Sequence, residues 1–356
     1  MNNPVNLTQK PAVLLEPTFG YGESSPRKPT LKQVWLEWVD AVSFWSDPSR
    51  RLPAFYAAYH AATLVVFVLF FVQFPSASSV IAVLAIAMLI GTVYNTVWYH
   101  RYCTHRAFKF RSFWFARLLL WLNPVCFREE SYVIPHRVHH SKSDGIGDPY
   151  GPHLGWLGSY LATESQQKIN RNLSRSDYDR LSKSLEHIGF LKSTYEQFQR
   201  LGSVENVWHY LARVMVANLF WTSLAYSLAG GQGVLGWFSG VFFYSFLVRD
   251  FNYRGHGGLL GNRNPGIPLN HVFYGFIAGE WHENHHAYPR SAKSGMAWWQ
   301  LDVPFWIIKF LALCGVIVHY NAPAELSRPE PRSRRRNRPD STVQTAAAKS
   351  PVPSSS

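Results

Sequence analysis

The sequence predicts an all-α integral membrane protein in which four transmembrane helices, paired in two hairpins, carry a helical cap with a histidine-rich metal site. Three observations lead there. Residues 52–100 contain no Lys, Arg, Asp or Glu and are rich in Val, Leu, Ile, Phe and Ala, and residues 214–248 are likewise uncharged. Each stretch has room for two spans, at about 20 residues apiece for the longer one, and each is divided by a short turn. Eight of the fifteen histidines fall in three tight clusters at the end of, or in the hydrophilic segments after, these hairpins.

Along the 356 residues, 1–30 are polar and proline-bearing, and are expected to be flexible, with no apolar core that would make a cleavable secretory signal. Leu31 to Asp47 has apolar residues at helical spacing, which suits a helix lying on a bilayer surface or one packed on the domain. The first hairpin joins spans at about 54–73 and 80–99 through Phe74-Pro75-Ser76-Ala77-Ser78-Ser79. The second joins 208–229 and 234–251 through Gly230-Gly231-Gln232-Gly233. Neither turn holds a basic residue, so essentially all of the 35 Lys and Arg lie on the other side, which the positive-inside tendency makes cytoplasmic. Both termini and every histidine cluster share that side.

Phe113–Phe127 and Pro265–Ala278 are apolar but short for a span, and read as interfacial helices or segments dipping back into protein. Val303–Val318, carrying Lys309, reads as a further interfacial helix. The membrane domain thus covers 31–320. Residues 321–356, with Arg-Ser-Arg-Arg-Arg-Asn-Arg followed by Ser, Thr, Ala and Pro, cannot build a core and are expected to be a disordered basic tail. The basic run of the tail reads as a solvated charge run or as a contact for anionic lipid, a basic cytoplasmic face would attract an acidic protein, and no nucleic-acid partner is expected. Cys103, Cys126 and Cys314 are odd in number and lack Cys-x-x-Cys spacing, so no disulfide framework is expected.

At about 100° per residue, His282, His285 and His286 fall on one face of a single helical turn, and His136, His139 and His140 repeat the pattern. His100 and His105 form a looser pair, and His256 brings the imidazoles to nine. A zinc site closes at about four ligands, so the supply implies more than one metal, while imidazole alone leaves iron, copper, nickel and zinc open. His60 lies within a span, where an ionisable group is either functional or a neutral, hydrogen-bonded packing residue.

The ordered set His-x4-His (His100, His105), His-x2-His-His (His136, His139, His140), Asn-x3-His (Asn252, His256) and a second His-x2-His-His (His282, His285, His286) resembles the membrane-bound fatty acid desaturases, especially the stearoyl-CoA (delta-9 acyl) branch. The likeness runs from about Trp98 to Tyr320. It implies an O2-dependent di-iron oxidoreductase that introduces a double bond into a fatty acyl chain. The nine histidines would bind two irons, and Asn252 would reach one of them through water. Asp144, Asp148 and Glu283 are candidates to accept ring N–H bonds from the ligands. The chain lacks a His-Pro-Gly-Gly haem element, so the resemblance also implies a separate electron donor of the ferredoxin or cytochrome b5 type.

Two departures bear on the substrate. Ile134, Tyr160 and Leu161 stand where the stearoyl-CoA branch has cations that help to hold CoA, which leaves CoA, lipid-linked and free acyl carriers open. Arg254 stands where those relatives have small residues. It is either a holder of a free carboxylate, which would permit hydroxylation or decarboxylation to a terminal alkene, or the partner of Asp250 at i, i+4. A remoter alternative is an intramembrane zinc metalloprotease, with His282 and His286 as ligands and Glu283 as base, which would leave at least six clustered histidines unused.

Overall fold

The computed structural model describes residues 12–16, 28–143, 147–256 and 281–322. The segment at Pro265–Ala278, most of residues 1–30 and the tail beyond 322 lie outside them.

Three of the described helices are long and apolar enough to cross a membrane. Helix α1 (Leu31–Val42) comes before them, opened by a capping box between Thr30 and Gln33, with Leu31, Trp35, Leu36 and Val39 exposed. Helix α2 (Arg51–Gln73) is apolar on all sides, and Val65, Val68 and Val72 face outward, as suits a helix surrounded by lipid. Helix α3 starts at Ala77 because Ser76 caps it, accepting a hydrogen bond from the Ser79 N–H. It is α-helical to Leu89 and continues as a π-helix from Ile90 to Thr104. The expected end at residue 99 was set by the next charge, Arg101. That guanidinium is buried against Asp302 at 2.7 Å, so the helix runs on past it.

Helix α10 (Val207–Arg254) is helical throughout except at Ala229 and Gly230, where Gly230 takes φ +57°. The chain reverses there. Trp221 and Trp237 stack with ring centroids 4.7 Å apart, whereas sixteen residues of straight helix would separate them by about 24 Å. The returning arm packs against α2, with Gly236 against Phe70 and Phe242 against Phe67, and against α3, with Gly240 beside Ile86. The glycine matters at this last contact, because a Cβ would overlap the Ile86 side chain.

The other described helices are shorter: α4 (Phe113–Trp121), α5 (Glu129–Lys142), α6 (Gly155–Tyr160), α7 (Ala162–Ser165), α8 (Arg175–Ser184), α9 (Tyr195–Leu201), α11 (His282–Ala287) and α12 (Val303–Leu313). The fold is mainly helical but not purely so. Strand β1 (Phe108–Phe110) pairs antiparallel with β2 (Ile317–Tyr320), Phe108 opposite Tyr320. The helix expected over 303–318 therefore stops at Leu313, and Gly315 (φ +74°) turns the chain into β2. The N-terminal stretch is likewise pinned at one point: Leu14 is buried and bridges Ile169.

Candidate metal centre

Three local structures aim the histidines. His105 N–H donates to the His100 carbonyl at 3.1 Å, closing an i→i+5 turn. With α-winding the two side chains would point about 140° apart. The wider π-turn brings their ring centroids to 4.8 Å. On α5 the three histidines follow Pro135 at i, i+3 and i+4, and on α11 a single short helix carries the other triplet.

The rings do not group by motif. Donor atoms of His100, His105, His136, His140 and His285 lie within 4.8 Å of one another, and those of His139, His282 and His286 form a second set. His256 joins the second, its ring 4.4 Å from that of His282 and 4.7 Å from that of His139. Within the first set, the Nε2 atoms of His285 approach those of His100 and His140 at 3.0 Å each, and His140 approaches His136 at 3.1 Å. In the second, His139 and His286 meet Nε2 to Nε2 at 3.3 Å. The Nε2 atoms of His105 and His282 are buried with no hydrogen-bond partner.

This donor set fits metal cations. One imidazole N–H cannot serve two ring nitrogens at once, whereas a central cation satisfies every lone pair in its set. The rings are also in the ligand form. Burial, reinforced by neighbouring rings, holds His105, His136, His282, His285 and His286 well below the ordinary imidazole range and brings His140 down to about 3. A pH prediction follows for metal-stripped protein. Below about 6.5 the unfolded chain takes up protons that the folded one refuses, so stability falls as pH drops from about 6.5 toward 3. The thermal midpoint of the stripped protein should be lower at pH 5 than at pH 7.5, and a flat profile would contradict these buried neutral rings.

A cavity leads from the two histidine sets into the helices. His100, His136, His256 and His282 line its head, and Thr63, Ala87, Gly91 and Val241 its depth. Ala87 lies thirteen residues before His100, so the cavity reaches no more than about 20 Å along α3.

The fatty acid desaturase family profile matches residues 78–309, well over half of the chain, and spans every histidine in both sets. The chain belongs to the fatty acid desaturase family. It is 28% identical over 269 residues to an acyl-CoA C20 delta5-desaturase of Anemone leveillei, covering 68% of this chain and 74% of that one. Identity to the delta-9 acyl-lipid desaturase 1 of Arabidopsis thaliana is 25% over 297 residues, covering 80% and 89%. The chloroplastic palmitoyl-monogalactosyldiacylglycerol delta-7 desaturase of the same plant is 24% identical over 263 residues, covering 68% and 62%. The protein is therefore an oxidoreductase acting in fatty acyl desaturation.

In this desaturase, groups around the candidate ligands orient the rings. Both carboxylate oxygens of buried Asp148 lie 2.9 Å from His139 Nδ1, fixing the tautomer that leaves Nε2 for metal. Tyr150 Oη is 2.6 Å from His136 Nδ1 and its ring stacks on His139, touching both sets. Ser143 Oγ is 3.2 Å from His286 Nδ1. Sequence reasoning missed Tyr150 and Ser143, and nothing in their spacing marks them. Asp144 lies outside the described residues. Glu283 is half-buried on the first turn of α11, and Asn252, on the last turn of α10, lines the cavity. Asp148→Asn should cost roughly 10–100-fold in metal affinity or turnover, read as bound metal under chelator challenge. An unchanged variant would remove Asp148 from this role.

The structure does not bring Arg254 to the centre. Its Nε pairs with Asp250 at 2.8 Å, and Asp250 also accepts from Trp156 Nε1 at 2.8 Å. This is the i, i+4 ion pair with Asp250, the second of the two readings of Arg254. Cys103 is buried outside both sets. His60 lines the cavity with both nitrogens engaged, Nε2 by Tyr160 Oη (2.8 Å) and Nδ1 by Ser245 Oγ (3.1 Å), as a hydrogen-bonded packing histidine would be.

Sequence reasoning also missed the charges that hold α5. Arg213 Nη2 bridges Glu129 (2.9 Å) and Glu205 (2.7 Å), and Glu129 accepts from Trp98 Nε1 and Asn123 Nδ2. Arg128 pairs with Glu130 next to them. All five acids and bases of these pairs are buried, which fixes the start of α5 against α10 and so aims its histidines. A lone arginine at the head of an apolar span was the available signal, though which acids meet it was not.

Proposed function

We propose that this desaturase inserts a double bond into the middle of a fatty acyl chain carried on a membrane lipid, using O2 and two irons. The observation that carries the proposal is the meeting of two polyhistidine sets at the head of a cavity that runs between the long helices. Bound iron, with O2 and two electrons, supplies the oxidising power that an unactivated methylene requires. This chain's own residues do the rest. His100, His105, His136, His140 and His285 would hold one iron, and His139, His256, His282 and His286 the other, with Asn252 nearby. Tyr99, Tyr132, Phe127 and Phe251 wall the cavity with aromatic surface that excludes water, and the deeper Ala87, Gly91 and Val241 receive the methyl end. The substrate's methylenes are thereby held in line past the metal centre.

The acyl carrier follows from the charges on the cavity wall. Among its described lining residues Arg249 is the one Lys or Arg, and its guanidinium is committed to Glu164, with nitrogen–oxygen distances of 3.0 and 2.5 Å. Ile134, Tyr160 and Leu161 add no cation. A neutral glycerolipid suits such a wall better than the phosphates of CoA. Arg254, bound to Asp250, gives no support to hydroxylation or decarboxylation of a free acid. The zinc-protease reading would use only part of the nine-histidine assembly.

In this reading the two arms of α10 each cross the bilayer, giving four spans, with termini and metal centre on the cytoplasmic side. Electrons come from a separate acidic protein of the ferredoxin or cytochrome b5 type. Its approach is favoured by the overall positive charge and by exposed Arg106 and Arg290 close to His105. The test is expression in a host lacking the activity, with mass spectrometry of lipid classes and of the acyl-CoA pool during a short label. Unsaturated acyl groups should appear first in glycerolipid. Appearance first in acyl-CoA would overturn the carrier, and a hydroxy acid or a hydrocarbon one carbon shorter would overturn the reaction.

A further inference from the structure

Trp298 is 95% exposed, the highest value among the large apolar residues of the described chain. It sits at the tip of a loop between α11 and α12 that is anything but loose. Gln300 Oε1 accepts from the Met296 and Ala297 N–H groups at 2.8 and 2.9 Å, and a Cβ at Gly295 would run into the Gln300 carbonyl. Asp302 closes the base, accepting from the Ser294, Gly295 and Phe305 N–H groups.

The loop holds both ligand-bearing elements beside it. Toward α11, Trp299 packs edge-on against Trp281, which is fully buried next to His282, and Asn284 Nδ2 donates to Gln300 Oε1 at 2.9 Å and to Ser294 O at 2.8 Å. Toward α3, Arg101, next to His100, donates to Asp302, Ser294 Oγ and Ala292 O. Six residues are too few for α11 to persist as an isolated helix, so its three histidines depend on these contacts.

The exposed apolar surface continues from the loop into α12, where Val303, Trp306, Phe310 and Leu313 fall on one outward face, and α12 packs on the head of α3. Through the β1–β2 pair it continues to Phe113, Trp114 and Leu118 of α4, where Arg117 lies over the rings of Phe113 and Trp114. Tryptophan beside the end of a span, with basic residues such as Arg117 and Lys309 in the same belt, is the chemistry of the lipid headgroup region.

We propose that the Met296–Leu301 loop is a lipid-anchored brace: Trp298 and Trp299 enter the headgroup region, and this contact holds α11 in register with His100. The lipid contact stands by itself, and the brace rests on the reading of the histidines as a metal centre. The full-length protein carrying Trp298→Cys in a Cys314→Ser background, labelled with an environment-sensitive fluorophore, is placed in phosphatidylcholine–phosphatidylglycerol vesicles. Glu196→Cys, on exposed α9, serves as the aqueous reference. The label at 298 should be quenched several-fold more by nitroxide-bearing lipid than by iodide, and the label at 196 the reverse. Equal behaviour at the two positions overturns the anchor.

The brace is read as iron lost to a chelator in the same vesicles. Trp298→Ser should lose iron roughly tenfold faster than the parent, in the range expected of groups that support ligands from outside, and Trp298→Phe should match the parent. Equal retention by Trp298→Ser overturns the brace. A parent protein that binds no iron would sink the metal reading and the brace together, while the quenching result would still decide the anchor.

Discussion

Replacing His285 by alanine is expected to abolish turnover and to empty the five-histidine set of its metal while the second set keeps its own. His285 is the sole contribution of α11 to that set, and its Nε2 lies 3.0 Å from those of both His100 and His140. Its loss therefore removes the donor that faces the other helices, and the rings left behind are buried and mutually crowded. Turnover should fall by more than about 100-fold, since even groups one step removed from a metal are worth 10–100-fold. Metal analysis should show about half the parent's iron per chain. His319→Ala, on the exposed end of β2 and bonded only locally to Asn321, is the control that should change neither. Full iron and full turnover in His285→Ala would end the two-set description.

Arg213→Leu is expected to destabilise the protein by about 3–5 kcal/mol, because it strands two buried carboxylates, Glu129 and Glu205, that share one guanidinium. Thermal unfolding in detergent measures it. A triple variant, Glu129→Gln with Glu205→Gln and Arg213→Met, leaves no uncompensated charge and should recover much of the loss. If Arg213→Leu alone unfolds within a degree or two of the parent, the network is not what holds α5.

The apolar core of the long helices was legible because an uncharged run of residues has few other uses. Their ends were not. Helix α3 overruns its expected limit because a residue two hundred positions away, Asp302, neutralises Arg101. The histidine clusters were legible as clusters, but their sorting was not. His136 and His139 are neighbours on one face of α5, and the sequence has no sign that they serve different sets, which is decided by how α5 lies across α3 and α11. The convergence of His100 and His105 was equally hidden, since it depends on π-winding. The strand pair was missed for a related reason: Ile317–Tyr320 continues an apolar run, and only Gly315 hints that the helix has ended. Leu14 was lost in a polar segment whose composition promised nothing to bury.

The division of each triplet between the two sets limits how such a protein can be altered in blocks. The α5 segment supplies His136 and His140 to one set and His139 to the other, and α11 supplies His285 to the first and His282 and His286 to the second. No contiguous stretch of the described chain builds one set alone. A chimera that takes either His-x2-His-His motif from a distant relative would thus disturb both sets, however well the motif itself is preserved. To carry the whole five-histidine set, a transferred block would have to run from α3 to α11, and it would bring the other set with it.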